Sequence, residues 1–203
     1  MFWLKKSRSR TTHDAPTGHK LFNFISFSFQ LRRWAHIKRS ARKFMGANEH
    51  QSLEDSELIE GLEGFENDAR EVIEDFGGQK VSSFRRKLTE KGTMDLMFSY
   101  SIISAKGLWH FLPAIDDYAR SVDSERDCEF PGSFAHAIKN QLRINPAAVI
   151  AVQERVGLLS QYLLDHLAEF DQGDDWAQKT AGELQDILDI LRRKKSAESG
   201  PRE

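Results

Sequence analysis

The chain has 203 residues, of which 30% are charged and 39% hydrophobic, and a formal net charge of −2 at pH 7. This composition is typical of a globular protein and excludes a collagen-like or wholly disordered chain. The single cysteine, Cys128, excludes an internal disulfide, and the absence of a run of ~18 apolar residues argues against a transmembrane helix. We therefore expect a soluble cytoplasmic protein, in which Asp127 and Glu129 keep the thiol of Cys128 unreactive.

Charge is distributed unevenly along the chain. Residues 1–44, the basic arm, hold 11 cations and one anion, and residues 45–203 hold 18 cations and 30 anions. Such asymmetry predicts a separate arm, a helical domain over 45–195 and a disordered polar tail over 196–203. The arm's cations nearest the domain are Arg32, Arg33, Lys38, Arg39, Arg42 and Lys43.

The basic arm has three interpretations, which the residues alone leave open. Its second half can form a basic amphipathic helix that binds anionic membrane or nucleic acid. It can instead be a solvated, poorly ordered tail. The third interpretation is that residues 1–44 are extraneous and that translation begins at Met45, where the composition changes abruptly.

The remainder predicts an all-α fold, an irregular bundle of about five to six helices. Apolar residues recur at intervals of three and four, glycines and prolines mark ends, and Ser104 and Ser133 are predicted caps. The predicted helical segments are 53–76, 82–91, 93–103, 104–120, one from 133, 146–170 and 176–194. An acidic loop is predicted over 121–132. Pro113 is expected inside the 104–120 helix.

The candidate catalytic residues are His110 and Asp117, which lie seven residues apart near one helix face. Asp116 is the alternative carboxylate. A histidine–carboxylate pair can act as a general base, but a structural histidine shows the same spacing. His166 is expected at the core edge with a local hydrogen bond.

Two further groups of residues favour structural roles. Four alternating acidic residues fail the EF-hand pattern, which requires glycine where Cys128 stands and glutamate where Phe134 stands, so no metal or cofactor is predicted. An aromatic-rich stretch predicts core packing, although exposed members would mark a partner-binding surface. Its members are Phe98, Tyr100, Trp109 and Phe111.

The segment from Ser104 to Ala114, with Tyr118 beyond it, resembles the signature of a family of small bacterial proteins of unknown function. Members typically show Ser-Pro-Glu-Ala, then aromatic residues, Leu-Pro-Ala and a later tyrosine. The matching positions are Ser104, Phe111, Leu112, Pro113, Ala114 and Tyr118. Pro-Glu-Ala is replaced here by residues 105–107, Ala-Lys-Gly. The resemblance implies a mainly helical domain and a bacterial origin, and it supplies no catalytic residue or cofactor.

Three functional hypotheses follow from these features. The leading one is a non-enzymatic helical protein-interaction module, immunity- or antitoxin-like or a general adaptor, whose acidic surface attracts a basic partner. The second is a small enzyme using His110 with Asp116 or Asp117. The third is a protein anchored to membrane or nucleic acid by the basic arm.

Removal of the arm tests the predicted boundary. Because its charge and apolar pattern differ from those of the domain, we expect residues 45–203 to melt within the few degrees that ~1 kcal/mol represents for a domain of this size. Solubility should rise as four phenylalanines leave the chain, Phe22, Phe24, Phe27 and Phe29. Melting curves of the two chains decide the matter, and a large fall in the midpoint would place the arm within the folded unit.

Overall fold

A computed structural model of the chain describes residues 51–170 and 173–198. The basic arm and residues 199–203 lie outside this range, so the predictions made for them stay predictions. The described residues contain nine α-helices, two 3-10 helices and no strand, which confirms the all-α prediction. The α-helices are α1 Asp55–Leu58, α2 Glu66–Phe76, α3 Val81–Lys91, α4 Met94–Ile102, α5 Ala105–Ala119, α6 Phe130–Ile144, α7 Pro146–Ala151, α8 Gln153–Asp165 and α9 Asp174–Glu198. The 3-10 helices are Ser124–Arg126 and Leu167–Phe170.

The predicted helix over 53–76 is divided in two. Gly61 and Gly64 adopt φ values of 97° and 87°, a left-handed region that a continuous right-handed helix does not contain. Phe65 continues the three-and-four spacing of apolar residues Leu58 and Leu62, which predicts burial, but it is 60% exposed. The single-helix prediction was wrong because periodic spacing carries no information about backbone handedness.

The boundaries of the second half also differ from the prediction. Helix α6 begins at Phe130 rather than at Ser133, with Pro131 in its first turn, where the missing N–H has no intrahelical acceptor to lose. The predicted helix over 146–170 is α7, α8 and a 3-10 helix. Val149, Val152 and Val156 are buried on both sides of the first break, so the apolar repeat continues across it. Helix α9 runs four residues beyond its predicted end, to Glu198.

Helix α5 lies at the centre of the core. Ten of its fifteen residues are buried, and Pro113 lies inside it as predicted. The ring of Phe111 packs against Phe76 of α2 and Phe84 of α3, with centroid distances of 4.8 Å and 4.7 Å. On its other sides α5 packs against α1, α7 and α8. A helix that is apolar around most of its circumference requires this kind of enclosure.

Polar groups at the start of α5 join it to α1. The hydroxyl of Ser104 accepts a hydrogen bond from the Gly107 N–H at 3.1 Å, which confirms the predicted cap, and it donates to the carbonyl of Glu57. The backbone N–H of Ser104 donates to the Leu58 carbonyl at 3.0 Å. Ser104 therefore supplies hydrogen-bond partners both to the first turn of α5 and to the last turn of α1.

Side chains of α5 and α6 complete the connections between helices. The indole N–H of Trp109 donates to the Ala148 carbonyl in α7 at 3.0 Å. The amide of Gln141 donates to the carbonyls of Tyr100 and Ile103 at 3.2 Å and 2.8 Å. These bonds supply partners for carbonyls at a buried helix end, where water has little access.

Gly107 stands where the signature that this segment resembles has alanine. A Cβ at this position would lie 2.4 Å from Cδ1 and Cγ1 of Ile103, a side chain that is 1% exposed. Alanine would favour the helix by about 1 kcal/mol, but overpacking costs about 1–3 kcal/mol. Glycine is therefore the residue that fits beside Ile103.

We predict that Gly107→Ala destabilises the protein by about 1 kcal/mol despite the better helix propensity of alanine. In Ile103→Ala the same substitution should be neutral or stabilising, because the clash is gone. A double-mutant cycle by urea unfolding measures this coupling. Additive effects of the two substitutions would show that the Ile103 side chain simply moves aside.

Candidate functional site

The signature segment builds the core of the domain. Five of its six matching positions are buried, and Pro113 is half-buried. Ser104 caps α5, and the Tyr118 hydroxyl donates to the Asp127 carboxylate at 3.0 Å. Burial, followed by the Asp127 charge, raises the pKa of Tyr118 far above its usual value, so the phenol remains a donor. Each described contact of these residues is structural.

The structure does not bring His110 together with the carboxylates of the predicted pair. Six or seven residues of α-helix separate them along the axis by about 9–10 Å. Asp117 is exposed, and Asp116 forms an ion pair with Arg120 at 2.9 Å. His110 is 6% exposed as a residue, and its imidazole packs edge-on against the Phe111 ring with the ring centroids 4.7 Å apart. Burial lowers the pKa of His110, and the charge of Glu57 partly opposes this shift.

Asp127 holds the acidic loop before α6 in place through hydrogen bonds. The carboxylate of Asp127 accepts hydrogen bonds from Thr93 at 2.7 Å and from Tyr118 at 3.0 Å. One carboxylate oxygen, Oδ2, therefore accepts from donors in two other parts of the chain. The loop carries Cys128 and Glu129, both exposed, immediately afterwards.

His166 lies where the sequence placed it, at the core edge. Its Nδ1 lies 2.8 Å from the carbonyl of Tyr162, and the two rings stack at 4.2 Å. The guanidinium of Arg120, the residue that follows α5, lies 4.3 Å from the centre of the Tyr162 ring. This cluster joins the surface of α5 to that of α8.

A groove between α4, α6 and α9 is the strongest candidate for a functional site. Its volume is about 510 Å³, and Met97 and Gly132 lie among the residues that line it. Three further apolar side chains that line it are largely exposed: Met94 at 51%, Phe98 at 53% and Trp176 at 65%. They are three of the seven large hydrophobic side chains that the described residues expose. Single exposed apolar residues are ordinary, but several around one cleft mark a binding surface.

Polar and charged side chains surround this apolar surface. Glu129 and Glu183 line the groove, and Lys179 lies 5.1 Å from the centre of the Trp176 ring, a cation–π contact. Asp95 and Asp175 are exposed, each adjacent in sequence to an exposed apolar groove residue. Among the residues that line the groove, two glutamates therefore stand against one lysine, in keeping with the acidic charge of residues 45–203.

The sequence indicated only part of this groove. In the aromatic-rich stretch Tyr100, Trp109 and Phe111 are buried as expected, whereas Phe98 is exposed. Met94 and Trp176 were not singled out. The sequence could have indicated Met94 and Trp176 because both lie away from the buried faces of their helices. Helix α4 buries Leu96, Met97 and Tyr100, and α9 buries residues from Thr180 onward.

Comparisons with known proteins give no indication of function, so the groove is the main guide to it. No protein-family model, curated protein or solved structure matches the chain. Within residues 51–170 and 173–198, no cluster of three or more His, Cys, Asp and Glu side chains is placed to hold a metal ion. None of the helices in this part of the chain combines the length and apolar character needed to cross a membrane.

The lowered pKa of His110 predicts how stability depends on pH. The unfolded histidine binds a proton near pH 6.5, and the folded one does so only at lower pH. The unfolded state therefore binds more protons below about pH 6.5, so stability should be complete above that value and decrease as the pH falls through it.

We predict that His110→Gln reduces the loss of stability between about pH 7.5 and about pH 5, measured as the difference in urea midpoints. His136→Gln is the matched control, because His136 is exposed, and it should leave the loss unchanged. An equal loss in wild type and His110→Gln would contradict the assignment.

Proposed function

We propose that the chain is a non-enzymatic helical protein-interaction module that binds a basic partner through the groove between α4, α6 and α9. The observation that supports this proposal is the exposure of Met94, Phe98 and Trp176 around one cleft. Aromatic and methionine side chains are enriched in interfaces, where their burial supplies much of the binding energy.

The surroundings of the groove support a basic partner. Residues 45–203 carry 12 more anions than cations, and Glu129 and Glu183 line the cleft itself. Complementary charge accelerates association and disfavours acidic competitors. An immunity- or antitoxin-like role in a bacterial cytoplasm is one form of such a module, and a reducing compartment suits the exposed thiol of Cys128.

Site-specific photocrosslinking tests this function. A photoreactive phenylalanine analogue at position 98 or 176 should capture a protein in cells of the source organism. The same analogue at Leu158, a 63% exposed residue of α8, is the matched control and should not capture it. Peptide mass spectrometry then identifies the protein and the segment that is crosslinked.

The purified captured protein must then bind the unmodified chain in solution. We expect Phe98→Ala to weaken this binding by more than tenfold, since truncation of a central anchor costs about 2 kcal/mol or more. Leu158→Ala should leave it unchanged. Equal capture at all three positions, or binding that is insensitive to Phe98→Ala, would overturn the proposed function.

A further inference from the structure

We infer that the occupant of this groove is an amphipathic α-helix with large apolar side chains on one face and lysines or arginines on the other. This inference rests on the proposed function and specifies the chemistry of the partner. Its basis is the geometry of the three helices, the positions of the exposed apolar side chains and the charge around them.

The helical walls of the groove favour a helical occupant. Beyond the N–H groups of their first turns, the backbone groups of α4, α6 and α9 are bonded inside each helix, so these walls present mainly side chains and no free strand edge. An extended peptide over Met94, Phe98 and Trp176 would leave its own backbone N–H groups facing apolar surface. A helix satisfies those groups internally and places its side chains in the groove.

The spacing of the exposed side chains sets the length of the contact. Met94 and Phe98 are four residues apart in α4, which puts them one turn apart on the same face. Along α9 the lining extends from Trp176 to Glu183, about 10 Å of helix axis. An occupant of two to three turns, with apolar anchors at i, i+3 or i+4 and i+7, matches this length.

The charges at the groove determine the polar face of the occupant. Glu129 extends from the loop before α6 and Glu183 from α9, so carboxylates come from two sides of the cleft. The single lysine of the lining, Lys179, lies over the Trp176 ring. A helix with cations beside its apolar face can reach both glutamates, whereas an acidic helix would meet like charge.

Synthetic peptides of about 18 residues test the inference against the full chain. One is an amphipathic leucine–lysine helix, the second replaces each lysine by glutamate, and the third scrambles the first so that it has no apolar face. We expect the first to bind at least tenfold more tightly than the others by calorimetry. Tryptophan emission should shift to shorter wavelength as Trp176 becomes buried, and this shift should be absent in Trp176→Phe.

Groove variants separate specific docking from general attraction between opposite charges. Phe98→Ala should weaken binding of the first peptide by at least tenfold, and Leu158→Ala should not change it. The double substitution Glu129→Gln and Glu183→Gln should reduce both the affinity and its dependence on salt between about 50 and about 200 mM. Glu169→Gln, an exposed acidic residue of a 3-10 helix outside the groove lining, is the charge control.

The two experiments fail in distinguishable ways. Equal binding of the leucine–lysine and scrambled peptides, or binding insensitive to Phe98→Ala, would overturn the helical occupant. If photocrosslinking captures a validated partner through an extended basic segment, the proposed function stands and this inference falls, whereas capture through an acidic segment overturns both. Capture of a second copy of the chain at position 98 would replace the basic partner by a dimer.

Discussion

The enclosure of α5 is the constraint on which the described structure depends. Ten of the fifteen residues of this helix are buried, and their polar groups cannot form hydrogen bonds with water. Neighbouring segments must therefore supply the hydrogen-bond partners. Ser104 serves the first turn and Trp109 bonds to α7, while Tyr118 bonds to the loop before α6. The packing of Phe111 between α2 and α3 adds the apolar part of the same arrangement.

The helical class and several helix ends could be read from the sequence because they depend on local chemistry. Gly77 and Gly92 end helices, Ser104 begins one, and Pro146 opens another. The division of 53–76 could not be read in this way. Gly61 and Gly64 are tolerated in helices at moderate cost, and only tertiary packing decides that they adopt positive φ. The break at Val152 lacks even a glycine or proline, so it left no local sign.

The groove was harder to predict than the core for a related reason. Burial of an aromatic residue can be predicted when it lies on the apolar face of a helix, as Tyr100 and Phe111 do. A groove depends on which helices become neighbours, and 71 residues, 103–173, separate the end of α4 from the start of α9. Residues such as Trp176 show the limit of pattern reading. They stand out as apolar residues off the buried face, but their convergence on one cleft requires the tertiary structure.

The core and the groove are physically connected through Asp127. Its carboxylate is held by Tyr118 from the last turn of α5 and by Thr93 from the residue before α4. Cys128 and Glu129, the next two residues, line the groove. Tyr118, which has a structural role in the core, therefore also supports one wall of the candidate site. Loss of this bond would remove a support of the segment that carries Glu129, whereas Phe98 lies on α4 and both Trp176 and Glu183 lie on α9, so only one of the two groove carboxylates depends on Asp127.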